Sequence, residues 1–491
     1  MTTPAAETVP VRGTLPLWVG LIVLGVMLIG GNRLLLDPDT YWQIAIGQWM
    51  LDHRAVPWTD TYSFTMQGQP WISTQWLAQV IFSRTHTWFG WAGPVVLSAL
   101  AIALAYLLLT RFLVRYLGDV PVMLMLPLSF LIALPHLYAR PHVLALPVMV
   151  AWVAALLSAA ERREAPRFAL VILIALWANL HGGFVFGILL IGPIALDAVL
   201  NVDAKLQARL LLRWFLFGLA ALAASCITPY GWHSLLAARA ILNLGEALKL
   251  IREWAPADFS FLGPIEAGTL LIVALAFFKG MKLPLMRMLL FVGLLYMMLA
   301  HVRSAEVFAL LGPMIIAPPL AAQFGGRGNE TGLMFPQPYR IAVSGTVALT
   351  IGMILGAVAF GQYRPAANVT PAAAVAVLKD QHVQRVFNDY DFGGYMISQG
   401  LAPYIDGRTE LYGEKFMVEH DAARRLLRPA EFFALLERHE IDATLLHRKA
   451  PAAQILDQVD GWRKIFIDDQ VVVHVRDSAA HHGVGPEVKP H

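Results

Sequence analysis

Cysteine is almost missing from this chain. Cys226 is the single one, which excludes an intrachain disulfide framework, and its place in an apolar run assigns it to packing. Charge is scarce as well. Asp, Glu, Lys and Arg supply 14% of the 491 residues, against about 25% in an average soluble domain. The formal net charge of +3, with no basic patch interleaved with aromatics, excludes a nucleic-acid reader. The signatures of soluble enzymes are also lacking: there is no phosphate-cradling P-loop, HExxH helix, GxSxG elbow or CxxC pair. No internal inverted repeat of the kind built into many transporters is visible either.

What is present is hydrophobic, at 57% of residues, and unevenly spread. Residues 15–360 carry repeated apolar runs, whereas residues 365–491 read as an ordinary soluble domain. A spanning helix needs about 20 mostly apolar residues. Runs of that kind, some shortened by proline, cover 15–34, 92–112, 120–137, 142–160, 167–180, 184–200, 209–227, 264–279, 286–301, 304–322 and 341–361. The fold class expected is therefore mainly α, a polytopic membrane protein with about eleven spanning helices and a small C-terminal α/β domain. The N-terminal "VRGTLPLWVGLIVLGVMLIGGNRLLLDPD" lacks a good cleavage site and reads as an uncleaved first helix. The expected divisions are 1–362 for the membrane domain, with outer loops 35–91 and 228–263, then 363–478 for the α/β domain and 479–491 for a disordered tail.

Lysine and arginine set the orientation. With the N-terminus cytoplasmic, Arg111, Arg115, Arg162, Arg163, Lys205, Arg209, Arg213, Lys279, Lys282 and Arg287 fall on inner segments. An odd helix count then places the C-terminal domain outside, in a periplasm, with the chain in a bacterial inner membrane. Asp37, Asp39, Arg140, His142, His181, Tyr230, Glu253, His301 and Arg303 then fall at outer helix ends or in outer loops. Ionisable groups delivered by several helices to one face mark a membrane-embedded site.

Each has an ordinary role to weigh. "LLLDPDTYWQIAIGQWM" sets Asp37 and Asp39 around one proline. Trp42, Ala45, Ile46, Trp49 and Met50 follow at helical spacing, predicting an interfacial helix over 39–53 whose tryptophans face lipid or the neighbouring bundle. Asp39 fits an N-cap of that helix, whereas Asp37 has no such local duty and is the stronger catalytic candidate. A second interfacial helix is expected over 76–90. In "LYARPHVLALP", Arg140 fits a snorkelling helix-end arginine. In "LWANLHGGFVFG", Asn179 and His181 precede a glycine pair that permits close backbone approach. Glu253 reads as a solvated acid. Arg303 in "LAHVRSAEVFALL" fits a pair with Glu306 or, equally, a phosphate clamp.

In the C-terminal region, "VQRVFND", "GGYMISQ", "APYIDGR", "ATLLHR", "AAQILDQV", "RKIFID" and "QVVVHVR" alternate strand candidates with helical stretches, including helices near 416–426 and 429–438. Asp391, Asp406, Arg408 and Tyr412 sit in turn-rich segments. Structure is favoured over function there, with Asp406–Gly407–Arg408 read as a tight turn holding an internal ion pair.

The acidic first outer loop "DPDTYWQIAIGQWM…VPWTDTYSFTMQGQPW", with "RPH", "WANLHGG", "FNDYDFGGY" and "IDGR", resembles bacterial membrane glycosyltransferases of the GT-C superfamily. The resemblance implies a polyprenyl-phosphate-linked sugar as donor, a glycan, lipid or protein as acceptor, and membrane lipids as surroundings. It implies a catalytic Asp in the first outer loop, here Asp37 or Asp39, taking the acceptor's proton. Arg140, His142, His181, His301 and Arg303 would hold the donor phosphate. Tyr41, Asn179, Tyr230, Glu253, Asp391, Asp406 and Arg408 would support the site or the acceptor. A divalent cation, Mg or Mn, on Asp37 and Asp39 is compatible with the superfamily, though oxygen ligands alone do not demand it. Two readings rival the transferase: a lipid or polysaccharide transporter or flippase, and a non-catalytic scaffold of surface-glycan assembly.

Overall fold

A computed structural model describes residues 14–242, 245–325 and 339–477; the tail expected over 479–491 lies outside them. The described chain is mainly helical and forms two compact units. Residues to Leu34, Phe89–Leu235 and Ile251–Gln362 make the first, and Leu35–Trp88, Leu236–Leu250 and the chain from Tyr363 make the second.

The first unit is a polytopic membrane bundle. Ala92–Leu113, Asp119–His136, Pro141–Glu161, Ala204–Ser225, Val302–Phe324 and Ile341–Phe360 are long and apolar enough to cross a membrane, and Leu15–Ile29, Phe168–Leu180, Phe184–Leu200 and Leu285–Ala300 are shorter apolar helices. Every apolar run picked out in the sequence coincides with helix, including Pro264–Lys279. Two runs are interrupted, one between Ile29 and Gly31 and one between Leu189 and Ile191. Pro141–Glu161 is buried along most of its length, with Trp152 stacked on Phe217. Pro141 opens it, where a missing N–H costs nothing. At the far end of this helix Glu161 pairs with the buried Arg287 at 2.6 Å, and Arg287 also pairs with buried Asp197 at 2.6 Å. That triad ties three helices together.

The second unit joins the first-loop segment to the C-terminal α/β region. Its sheet has the order β1-β2-β4-β3, where β1 is Val386–Asn388, β2 Ala443–His447, β3 Trp462–Ile467 and β4 Val471–Arg476. β1 and β2 run parallel, and the other pairings are antiparallel. "GGYMIS" is a helix, Gly393–Ser398, and "PAAQIL" is another, Pro451–Leu456. Residues 402–408 form no strand beyond a bridge between Val386 and Pro403.

The helix expected over 39–53 is present as Asp39–His53, ended by Arg54 in the left-handed region at φ 51°. Its tryptophan face does not meet lipid. Trp42, Ile46 and Met50 form a buried core with Trp71 and Ile397, and Trp49 packs at its edge. The reason is local: the sequence supplies a second aromatic layer, Trp71 and Tyr62, and the C-terminal helix Gly393–Ser398 covers it. Gly47 lets the helix Trp76–Phe89 cross, since a Cβ there would lie 2.1 Å from the Gln79 carbonyl oxygen. Gln79 donates to Gln43 at 2.7 Å across that crossing.

Candidate functional site

Six chain segments of the first unit end near one another at one end of the bundle, and they bring together the buried His136, His142 and Glu306 with several half-buried ionisable groups. The turn after Asp119–Ala133 holds His136, and Arg140 and His142 follow at the start of the next helix. His181 caps Val171–Leu180, Glu253 and Trp254 lie in the segment before Pro264–Lys279, and His301, Arg303 and Glu306 span the turn between Leu285–Ala300 and Ala305–Phe324.

Glu253 organises the polar contacts. Its Oε2 accepts from Nε2 of His136 at 2.9 Å and from Arg140 at 3.1 Å. It is not the solvated acid expected: burial opposes its ionisation, but Arg140, His136 and Arg303 outweigh burial and hold its carboxyl well below the usual range. Arg140 is therefore engaged by a carboxylate and not merely snorkelling. His136 reaches Glu306 with its other nitrogen, Nδ1 to Oε2 at 2.8 Å. His142 places Nε2 at 3.2 Å from the His136 carbonyl oxygen, and its ring lies 5.0 Å from that of His136 and 6.2 Å from that of His181. His136, His142 and Glu306 are all buried and each offers a ligand atom within 4.8 Å of the others.

Burial, then Arg303 and Arg140, push the His181 imidazole down to about 3. It is neutral at physiological pH, so it contributes hydrogen bonding and shape but no positive charge. Its Nδ1 accepts the backbone N–H of Gly183 at 3.2 Å. Arg303 does not pair with Glu306. Its guanidinium lies over the Trp254 ring at 4.3 Å, and among the described residues it has no carboxylate partner. The ring stacking leaves the N–H edges of the fork for an anion. His301 supports Trp254, with Nδ1 2.9 Å from the Trp254 carbonyl oxygen and its ring edge-on at 5.3 Å.

Other candidates have structural partners. Asn179 donates to the carbonyls of Ala175 and Ile227. Tyr230 is buried and its carbonyl lies 3.1 Å from His233 Nδ1.

Asp37 and Asp39 belong to the second unit. The capping arrangement is the reverse of the one expected: Asp37 Oδ1 accepts the Asp39 backbone N–H at 2.9 Å, while the buried Asp39 carboxylate accepts the Trp42 indole N–H at 2.9 Å. Asp37 thus has a local duty after all, and Asp39 starts the helix without capping it. Tyr41 shares a hydrogen bond with Thr370 at 2.8 Å, and burial pushes its phenol up to about 12. Asp406 and Arg408 form more than an internal turn pair. Arg408 is fully buried, donates twice to Asp406 at 2.8 and 2.6 Å, reaches Asp60, and lies over the rings of Tyr62 and Trp71. Asp391 sits 3.5 Å from His447.

His136 and Asp60 were not singled out from sequence. A signal for His136 did exist, in the paired histidines and prolines of "LPHLYARPH".

No protein-family model matches the chain, and no curated protein matches it. Solved structures do. The archaeal oligosaccharyltransferase AglB from Archaeoglobus fulgidus, in complex with an inhibitory peptide and a dolichol-phosphate, aligns over 96% of this chain and 75% of its own, at 11% identity and TM-score 0.52. The apo Archaeoglobus fulgidus oligosaccharyltransferase aligns over 88% and 70%, at 13% identity and TM-score 0.50. The chain shares the fold of these two structures. ArnT from Cupriavidus metallidurans bound to undecaprenyl phosphate also aligns, over 95% and 98%, at 15% identity and TM-score 0.49. Within this fold, the polar cluster lies at the Pro141 end of the bundle and the Glu161–Arg287–Asp197 triad at the Glu161 end.

Proposed function

We propose that this chain is an integral-membrane glycosyltransferase that moves a sugar from a polyprenyl-phosphate carrier to a glycan, lipid or protein acceptor at the outer face of a bacterial inner membrane. The N-terminus would be cytoplasmic and the C-terminal domain periplasmic. The observation that carries this reading is Arg303, a ring-stacked guanidinium that makes no ion pair with a carboxylate among the described residues and acts together with Arg140 on Glu253 at the polar end of a membrane bundle. A phosphate on a lipid presents its charge at that depth, and a guanidinium fork matches phosphate oxygens better than any other side chain does. The AglB structure matched above holds a dolichol-phosphate, which agrees with a polyprenyl-phosphate ligand class here.

In this reading Arg303 and Arg140 neutralise the leaving phosphate, and Glu253 keeps Arg140 oriented until the phosphate competes for it. His181 and His142 line the site, and His301 fixes Trp254 under Arg303. The base role is proposed for Asp37, the first-loop carboxylate that is half-buried rather than locked under an indole. Its test stands apart from that of the phosphate cluster.

Binding of polyprenyl phosphate to the detergent-purified full chain, read by native mass spectrometry, tests the donor site. A charged hydrogen bond is worth about 1.5–3 kcal/mol, so Arg303→Ala should weaken binding about ten- to a hundred-fold. Unchanged affinity in both Arg303→Ala and Arg140→Ala would overturn the assignment.

A further inference from the structure

We propose that His136, His142 and Glu306, rather than the first-loop acids, form a binding site for one zinc-class divalent metal ion. The inference does not depend on the sugar-transfer reading.

Three observations converge. The first is the donor set. Two imidazoles and one carboxylate, all buried, hold their ligand atoms within 4.8 Å of one another, and a His₂Glu set is a familiar catalytic zinc arrangement that leaves coordination positions open. Donors about 2.0–2.1 Å from a tetrahedral ion stand roughly 3.3–3.4 Å apart. The separations here, from 2.8 Å between His136 Nδ1 and Glu306 Oε2 to the 4.8 Å limit, bracket that value.

The second is tautomer control. His136 turns Nε2 to the Glu253 carboxylate at 2.9 Å, and His142 turns Nε2 to the His136 carbonyl oxygen at 3.2 Å. Each acceptor favours the tautomer with hydrogen on Nε2, the form whose Nδ1 is free to bind a metal. This is the outer-shell arrangement that orients metal-binding histidines, a carboxylate behind one and a backbone carbonyl behind the other.

The third concerns the two atoms that face each other. His136 Nδ1 and Glu306 Oε2 are buried and close, yet neither makes an aligned hydrogen bond. Buried polar atoms are nearly always satisfied. A buried imidazole nitrogen and carboxylate oxygen this close without a hydrogen bond between them suit a cation shared by both. Imidazole with carboxylate favours zinc and its transition-metal neighbours over magnesium or calcium, which take oxygen ligands.

The competing occupant is a second proton, making His136 an imidazolium between Glu253 and Glu306. Metal analysis separates the two. The full chain in detergent, stripped with chelator and titrated with Zn²⁺, should bind one equivalent by elemental analysis, and Co²⁺ should give visible d–d absorption in the same site. Glu306→Gln and His142→Ala should lose that equivalent. Glu253→Gln should weaken it about 10–100-fold, as outer-shell substitutions do, and Asp37→Asn should leave it intact. Pulsed electron paramagnetic resonance on Cu²⁺-loaded wild-type protein needs no variant to fold and should read two coordinated imidazole nitrogens. Substoichiometric zinc in the wild type, a full equivalent retained by both Glu306→Gln and His142→Ala, or fewer than two imidazole nitrogens on copper would each overturn the proposal.

Discussion

Arg408→Met removes the only positive charge from a buried lock in the second unit, and its cost can be worked from the partners left behind. Arg408, Asp60 and Asp406 are each fully buried. Breaking a buried ion pair from one side costs about 3–5 kcal/mol, because the remaining charge is uncompensated. Here the stranded carboxylates keep other donors. Asp60 still accepts the backbone N–H groups of Tyr62 and Ser63 and the Ser63 hydroxyl, and Asp406 still accepts the residue-408 N–H and the Tyr412 hydroxyl. The lower end, about 3 kcal/mol, is therefore expected. At about 2–4 °C per kcal/mol for a domain of 150–250 residues, the melting temperature should fall by about 6–12 °C. The assay is thermal unfolding of the detergent-purified chain, followed by fluorescence-detected gel filtration. Asp60→Asn in the Arg408→Met background should recover part of the loss, since it removes one stranded charge. A fall under about 2 °C, or no recovery in the double variant, would refute the reasoning that the guanidinium holds this triad together.

Gly407→Ala should be destabilising on its own, since the added Cβ would stand 1.8 Å from Asp39 Oδ1 and 2.8 Å from Trp42 Nε1; the same melting assay reads it, and an unshifted midpoint would show that Asp39 and Trp42 move aside freely. Asp37→Asn should lower transfer by about 10²–10⁴, the usual worth of a general base, while donor binding by native mass spectrometry stays within a few-fold. Asp39→Asn should be milder in transfer, because an amide oxygen still accepts the Trp42 indole N–H; equal loss in both variants would place the chemistry on Asp39 as much as on Asp37. Trp254→Ala should weaken polyprenyl phosphate binding through loss of the platform under Arg303, and Trp254→Phe should restore most of it.

Helices were legible because the bilayer imposes a length and an apolarity that no soluble helix needs, and every such run of the chain is helical. The helix over 39–53 was legible too, but its environment was not. Its apolar spacing fits lipid and protein equally, and the aromatic partner Trp71 and the covering Ile397 lie outside any local window. The same limit hid the lock: Arg408 meets Asp60 across 348 positions, and an isolated aspartate in "TDTYS" reads as a turn residue. At the polar end of the bundle, "RPH", "HGG" and "HVR" stood out as interruptions of apolar runs, whereas Glu253 looked like a surface acid because its charge balance comes from Arg140 and His136, more than a hundred positions away. His136 was passed over as one polar residue within a run of leucines. Asp37, not Asp39, takes the helix-start duty because a carboxylate two residues before a helix N–H reaches it as readily as an N-cap does.

The most direct test is product formation by the full chain reconstituted in proteoliposomes with a panel of polyprenyl-phosphate-linked sugars and a cell-envelope acceptor extract. The account predicts release of free polyprenyl phosphate coupled to sugar appearing on an acceptor, with both signals lost together in Arg303→Ala and Asp37→Asn. Movement of the intact lipid-linked sugar across the bilayer with no sugar transferred, or full transfer in both variants, would contradict it.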